Sequence, residues 1–401
     1  MKKIIICLLF CVLLVNLVSA TWWNESWGNY KEIKVEEKSG VTLSNYQTFI
    51  NVTYDSDMNT SFKDLRFIAA DNTTQLDYFI EVNMTVASNY AGVWVKIPTL
   101  TASSNTTIYM YYNNPTATSN SNMNTVFLLY DDFEDNSLNT SKWTVVSGCA
   151  ATESGGNLSL TYSGTGWKSC YTTNVYNFTA GKNIFEYYVI YASPVSNSNK
   201  HWGIHLINST TPNAPNYHYW WYIFASYCNG DAWHMPYASS TNCYLQNPFL
   251  VPQKVGNYPI NSTYGQLILD GTLRITATGT VVQIGNSYVH LTSWGANAIK
   301  IQFDWMRVRA YASVEPKIYF GVEQSAPPVD TCTCAGLNTN WEIDMSDNCN
   351  ITEACDLTTG TLSFTGAGWC NCNASVDTTN LGDPGASGIL YIQDSCLITI
   401  D

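Results

Sequence analysis

Charge is what this chain has least of. Asp, Glu, Lys and Arg make up 12% of its 401 residues, about half the roughly 25% of an ordinary globular protein. The balance is acidic, with 31 acidic against 18 basic side chains and a formal charge of -13. A nucleic-acid binder needs a basic face to displace condensed counterions, and none is present, so nucleic acid is excluded from the expected partners. Apolar runs long enough to span a bilayer as a helix are absent after residue 20. Amphipathic helical patterning is missing as well. Asn, Ser, Thr and Tyr take the place of charge, which suits a surface whose solubility comes from amides, hydroxyls and attached sugar.

The first twenty residues are of another kind. Lys2 and Lys3, an apolar run from Ile4 to Val15, and Val18, Ser19 and Ala20 before Thr21 are the three regions of a secretory signal peptide, residues 1–20. Its removal takes two lysines and moves the formal charge from -13 to -15. Behind it stand thirteen Asn-x-Ser/Thr acceptor sites: Asn24, Asn51, Asn59, Asn72, Asn83, Asn105, Asn139, Asn157, Asn177, Asn208, Asn261, Asn350 and Asn373. An export signal followed by this density of acceptors predicts a secreted or cell-surface glycoprotein.

Cysteine usage agrees. Cys7 and Cys11 leave with the leader; Cys149, Cys170, Cys228 and Cys243 sit mid-chain, and seven crowd between Cys332 and Cys396. Outside the cell, disulfides are the default, and the simplest mid-chain pairing is Cys149 with Cys170 and Cys228 with Cys243. The odd number in the tail predicts that the last domain continues past Asp401, where a membrane anchor has room to lie.

From Tyr30 onward short runs rich in Val, Ile, Thr and aromatics alternate with Asn, Gly, Ser and Pro, for example Phe49 to Tyr54, Tyr78 to Val82 and Val93 to Ile97. Period-two runs with turn signals about every ten residues predict an all-β chain of antiparallel sheets. Breaks fall in the polar linker 116–125 and in the proline linker 325–330, which divides the mature chain into 21–115, 126–324 and a Cys-rich segment 331–401.

In the first unit, the blocks Trp22 to Lys31, Phe62 to Phe67, Tyr78 to Glu81, Val93 to Pro98 and Tyr109 to Pro115 resemble, in that order, an uncharacterised family of exported proteins, domain of unknown function 2341. The resemblance implies a β-sandwich and no particular reaction. Lys31 stands where many members have an Arg-Lys pair. Arg66, Glu81 and Lys96 are the charges of this unit placed near strands, where cross-strand pairing is the ordinary role.

The second unit opens Tyr130-Asp-Asp-Phe-Glu-Asp135 and closes with Ile299 to Tyr311, which includes Asp304. This opening and this final strand are similar to the first and last strands of the concanavalin A-like lectin/glucanase jelly roll. The resemblance implies a structural Ca²⁺ held by Asp304, with Asp132 as the expected second carboxylate and Asp131 or Glu134 as further oxygen donors, since Ca²⁺ takes six to eight hard ligands. Enzymes of that superfamily carry Glu-x-Asp-x-x-Glu on one strand, which sets nucleophile and acid/base on one face. Residues 126–324 contain no Glu-x-Asp. The unit therefore reads as a non-catalytic, carbohydrate-binding form of the fold.

Aromatics suggest where sugar sits. Read as a strand, Tyr217 to Phe224 places Tyr217, Tyr219, Trp221 and Ile223 on one face and His218, Trp220, Tyr222 and Phe224 on the other. One face belongs to the core and the other is free to stack on sugar rings. The expected ligand-binding residues are Trp202, His218, Trp220, Trp221, Tyr222, Trp233 and His234, and the expected partners are polysaccharide or glycoprotein glycans, with other cell-surface proteins second. His201 and His205 are too far apart on a strand, roughly 13 Å, to share a metal.

In the tail, short apolar triplets separated by Gly, Asn and Cys look like the first rungs of a parallel β-helix. One-residue spacers in Cys332-x-Cys334 and Cys370-x-Cys372 favour disulfides over zinc. Two rivals stand beside the binding reading: a surface-layer or adhesin stalk whose aromatics are all core, and a polysaccharide-degrading enzyme with carboxylates from strands distant in sequence.

Overall fold

The computed structural model describes residues 22–82, 90–179, 181–192, 201–211, 217–224, 233–234, 243–244, 253–261, 264–269, 272–278, 285–294, 299–326 and 331–400; the strands between 217 and 278 are described by backbone course and pairing alone. The leader and the Cys228–Cys243 pairing lie outside these residues. Nearly every described element is a strand. Two compact units emerge, one spanning Asn29–Glu323 and the other formed by 324–401 together with the segment before Asn29.

The larger unit begins as a small sandwich. Leu43–Thr53, Tyr90–Leu100 and Tyr78–Val82 form its three-stranded sheet, and Asn29–Glu36, Asn105–Tyr112 and Arg66–Ala69 belong to a four-stranded one. The fourth strand is Lys317–Ser325, which follows the jelly roll in sequence but pairs with Asn29–Glu36. Alternation sets the core: Ile33 and Val35 point inward from one strand, Tyr46, Ile50 and Val52 from another, and they meet Phe67, Tyr78, Val93, Val95 and Met110.

Two eight-stranded sheets follow and pack as a jelly-roll-like sandwich. One runs Thr272–Thr278, Tyr264–Leu269, Gln253–Asn261, Asn183–Ala192, Ile299–Ala310, Asn157–Tyr162, Cys149–Ser154, with Leu129–Asp131 pairing Ile299–Ala310. The other runs Cys243–Tyr244, Trp233–His234, Tyr217–Phe224, His201–Ile207, Asn286–Trp294, Trp167–Thr172, Trp143–Val145, with Tyr176–Asn177 beside Asn286–Trp294. Leu158, Leu160, Phe185, Val189, Ile301 and Phe303 from the first sheet face Trp202, Ile204, Leu206, Val289 and Leu291 from the second. Cys149 and Cys170 are bonded as expected, and both are buried in this core.

The polar stretch between the two sandwiches is tied down by hydrogen bonds in place of apolar packing. Asp64 accepts from the Asn113 N–H at 2.9 Å, Arg66 donates to the Thr118 carbonyl at 2.7 Å, and Ser121 Oγ accepts from the Ile80 N–H at 2.9 Å. Behind it, Phe79, Trp94, Val126, Phe127 and Tyr130 form an apolar cluster joining both sandwiches. Gln47 spans the same seam: its Oε1 accepts from the Ala310 N–H at 2.9 Å, and its Nε2 donates to the Val126 carbonyl at 3.0 Å. Residues 29–323 are therefore one body.

In the smaller unit all described sheets are parallel. Trp341–Asp344 pairs Thr361–Thr365, Cys349–Ile351 pairs Gly368–Cys372, and Cys355–Asp356 pairs Val376–Thr378, each residue in register with one 21 positions on. A second set of pairings carries the pattern to Asn380–Leu381, Gly388–Ile392 and Ile398–Ile400. Trp341, Ile343, Met345, Ile351, Leu357, Leu362 and Phe364 fill its core. Cys332, Cys334 and Cys372 pair with Cys349, Cys355 and Cys396, so three of the four C-x-C cysteines form disulfides and the fourth, Cys370, does not. Cys370 is a buried free thiol, and burial pushes its pKa up to about 11.

Candidate functional site

The second jelly-roll sheet has a core face and an opposite face, and register assigns residues to each. Trp202, Ile204 and Leu206 belong to the core face. They are paired with Ile223, Trp221 and Tyr219, while Gly203 and His205 are paired with Tyr222 and Trp220. Directly paired residues share a face, so Trp221 holds a core-face register position and Trp220 and Tyr222 hold positions opposite. His234 is in register with Tyr222, and Trp233 with Ile223. The side chains of His218, Trp220, Trp221, Tyr222, Trp233 and His234 lie outside the described residues.

Trp202 requires a correction. Expected in a sugar site, it is only 1% exposed and sits in the core, its ring edge-on to Phe303 at 6.4 Å. Strand alternation explains the difference, because Trp202 lies two residues before the inward Ile204. A ligand has no route to it.

Opposite the core the sheet carries a group that sequence reading did not assemble. Tyr171, Tyr288, His205, Ser169 and Thr292 surround His290, with Trp167 at one end. Tyr171 stacks on His290 at 4.8 Å, and Trp167 meets His205 edge-on at 5.0 Å. The Ser209 carbonyl lies 2.9 Å from His290 Nε2. A carbonyl only accepts, so Nε2 carries the proton and Nδ1 accepts from Ser169 Oγ at 3.1 Å. His205 and His290 are both fully buried, while Trp167 and Tyr288 are half-buried. The three contributing strands lie up to 121 residues apart in sequence. The signal available beforehand was the alternation Trp167-x-Ser169-x-Tyr171 and Tyr288-x-His290-x-Thr292, but nothing in it says that the two strands are neighbours.

Burial holds the His290 pKa down to about 4, although its bond to Ser209 opposes the shift. The folded chain thus keeps His290 neutral, and below about pH 6.5 the unfolded chain takes up a proton that the fold resists. Stability contributed by this group is present above pH 6.5 and lost as pH falls towards 4. His290→Gln should therefore be less sensitive than the native chain between pH 7 and 4.5 when urea midpoints are compared. Equal loss in both proteins would show that His290 does not set this dependence.

The chemistry of this sheet is defined by what its strands carry. Its described strands contain Trp, Tyr, His, Ser and Thr, a single Lys168, and no Asp or Glu.

Acidic groups gather on the other sheet. Asp304 is half-buried, and its pKa is raised by burial and then by Glu134 and Asp132. Neither Asp132 nor Asp304 forms an ion pair among the described residues. Asp131 is otherwise engaged, accepting from Lys142 at 3.2 Å and from Trp143 Nε1 at 2.6 Å. Uncompensated carboxylates around Asp304 are the donor chemistry that a hard cation takes. Among the described residues the carboxylate oxygens of Asp132 and Asp304 belong to no compact ligand trio of the kind formed by Asp55, Asp57 and Glu323. Most ligands of an ion there would have to be carbonyls.

The charges of the first sandwich have structural partners. Arg66 is buried and donates to the Leu65 carbonyl at 2.6 Å, and Lys96 pairs with Asp77 at 2.7 Å. Glu81 binds Arg307 of the jelly roll at 2.6 Å. They form no common site.

By fold this is an all-β protein whose solved structural neighbours are of the concanavalin A-like glucanase and lectin type. They include an endo-acting O-glycanase of the human gut microbiota (13% identity, 46% of this chain and 99% of that one, TM-score 0.33), the Bacillus licheniformis β-glucanase (13%, 45% and 97%, 0.30) and the Emp47p carbohydrate recognition domain (12%, 45% and 94%, 0.35). Residues 61–146 match the family model described as Domain of unknown function (DUF2341). That match reaches past residue 115 and takes in Phe127 and Tyr130, which pack against Phe79 and Trp94. No curated protein matches the chain in sequence.

Proposed function

We propose that the jelly-roll part is a non-catalytic carbohydrate-binding module in a secreted or cell-surface glycoprotein. The observation that carries this reading is the composition of the face opposite the core: aromatic rings, imidazoles and hydroxyls, without a carboxylate on its strands. Hydrolysis of a glycosidic bond by the usual route needs two carboxyl groups about 5–9 Å apart across the sugar; stacking and hydrogen bonding of a sugar need rings with polar handles. Trp220, Tyr222 and His234 hold positions on this face, beside Trp167, Tyr171 and Tyr288. The neighbours named above include a carbohydrate recognition domain, which agrees with this choice, and glycan-cleaving enzymes, which keep the enzyme as the alternative.

Export and glycosylation belong to the same reading. Four disulfides among the described residues suit an oxidising compartment. Leaving aside Asn83 and Asn261, none of the acceptor asparagines is buried. A structural Ca²⁺ at Asp304 and Asp132 completes the proposal. It would neutralise the acidic group and fix the closing strand, away from the sugar face.

The test is a polysaccharide and glycan array probed with the full chain, with and without Ca²⁺. Saturable binding is expected, with Trp220→Ala weakening it about tenfold or more and Trp221→Ala acting on stability instead, in line with a stacking contribution of roughly 0.5–1.5 kcal/mol plus the lost buried area. Silence across the array in both conditions would transfer the assignment to the stalk. Release of reducing ends from any bound glycan would transfer it to the enzyme.

A further inference from the structure

A cleft of about 540 Å³ opens where the first sandwich meets the jelly roll, lined by strands and turns other than those that carry the proposed sugar face. Its volume falls in the 300–1,000 Å³ range of small-molecule sites. One wall is the 39–44 turn, the other is Gly181, Lys182 and 310–313, and Tyr46 lies at its base.

The walls are fixed before any ligand arrives. The buried Glu37 carboxylate accepts from the Ser39 hydroxyl, from the Gly40 N–H at 2.9 Å and from the Ser103 N–H at 2.9 Å, which locks the turn. Gly40 adopts φ +76°, a conformation that a side chain would strain. Opposite, the Lys182 N–H donates to the Thr179 carbonyl and the Lys182 carbonyl accepts from the Tyr311 N–H, both at 2.9 Å. Tyr46 is held by Glu315 at 2.5 Å and by Arg309 at 3.4 Å. Ordering cost on binding is correspondingly small.

The lining chemistry selects a ligand class. Ser44, Thr42, Ser313 and Tyr311 offer hydroxyls, and Val41 and Ala312 offer apolar contact suited to a ring face. Lys182 is the one charged residue of the lining, is exposed, and makes no ion pair among the described residues. In a chain of net charge -13 an unpaired lysine beside a hydroxyl-rich cleft is the opposite of what composition favours. An ammonium attracts an anion, and ranked hydroxyls suit a polyol. We propose that this cleft binds a small anionic saccharide, such as a hexuronic acid, with its carboxylate on Lys182.

The experiment is ligand-observed NMR with the full chain, using glucuronate and galacturonate as probes, glucose as the neutral control, and EDTA present to exclude a calcium bridge. Saturable uronate binding is expected, with glucose at least tenfold weaker. Lys182→Gln, an exposed position that leaves folding alone, should remove that preference, and Ser44→Trp should block the cleft without changing charge. Trp220→Ala, on the sugar face, should leave uronate binding intact. The proposal is overturned by absence of saturable uronate binding, by binding that both cleft variants leave unchanged, or by binding that Trp220→Ala abolishes, which would place the anion on the other face.

Discussion

Arg307→Ala is expected to destabilise the 29–323 body by about 3–5 kcal/mol, the usual cost of breaking a buried ion pair from one side. Arg307 is fully buried at the seam between sandwich and jelly roll. Its Nη1 binds Glu81 at 2.6 Å and its Nε binds Glu186 at 2.7 Å. Arg309 shares Glu186 at 3.0 Å and reaches Glu315 at 2.9 Å. The Arg307 guanidinium also lies over the rings of Trp94 at 4.4 Å and Trp305 at 4.7 Å, in the range of cation–π attraction. Burial opposes the charge, but Glu186 and Glu81 together outweigh it and the pKa of Arg307 is raised. Truncation would leave the buried Glu186 with Arg309 alone, remove the plane between two indoles and open a cavity. Glu81→Gln should cost less, because Glu81 is partly exposed and Glu186 still balances Arg307, although the single amide oxygen can serve only one of the two donors, Trp94 Nε1 and Arg307 Nη1, that Glu81 now accepts from. Thermal unfolding of the full chain followed by tryptophan fluorescence reads both variants. A drop of roughly 5 °C or more for Arg307→Ala is expected in a body of this size; a shift no larger than that of Glu81→Gln would show that the network does not join the two sandwiches.

This seam shows where sequence reading stops. In Ile299 to Ala310 the core positions are Ile301 and Phe303 and then Met306 and Val308, the parity changing at the irregularity where Val189 pairs Phe303 and Tyr188 pairs Trp305, so Arg307 and Arg309 take the face away from that core although simple alternation from Ile301 would put them in it. They are buried because a second sheet covers that face, a fact about residues 46–94 that no local pattern in 299–310 contains. Gln47 and Glu186 carry the same ambiguity. The all-β class and the Cys149–Cys170 bond were legible because alternation, turn residues and cysteine spacing are local. Of the face proposed to hold sugar, only the aromatic run Tyr217–Phe224 stands out in the sequence; Ser169 and His290 join that sheet through pairings between strands more than a hundred residues apart. Trp202 was misplaced for a related reason, since aromatic identity says nothing of which face a strand residue takes.

Reduction of the native chain is expected to unfold the 331–400 coil while leaving the 29–323 body folded. The coil has about 70 residues, a size at which one apolar core supplies only a few kcal/mol. Its three disulfides close loops with separations of 17, 21 and 24 residues, each contributing about 3 kcal/mol by restricting the unfolded chain. Their sum, roughly 9 kcal/mol, exceeds what the core holds alone. Cys332–Cys349 and Cys334–Cys355 anchor the entering segment to the first set of strands, and Cys372–Cys396 joins the second set to the third. Loss of these bonds removes both anchors at once. The last strands are poorly covered, with Ile389, Ile392, Leu397 and Ile400 all exposed, so they add little resistance. The larger body differs in kind, because Cys149–Cys170 is one bond inside an extensive core and both of its sulfurs are shielded. Hydrogen exchange before and after dithiothreitol separates the two responses by position. Amides of Trp341–Asp344, Thr361–Thr365 and Gly368–Cys372 should lose protection, while those of Asn157–Tyr162 and Ile299–Ala310 keep theirs. Retained protection in the coil would mean that its Trp341, Leu362 and Phe364 core is sufficient without covalent help, and that the disulfides serve another end such as resistance to proteolysis.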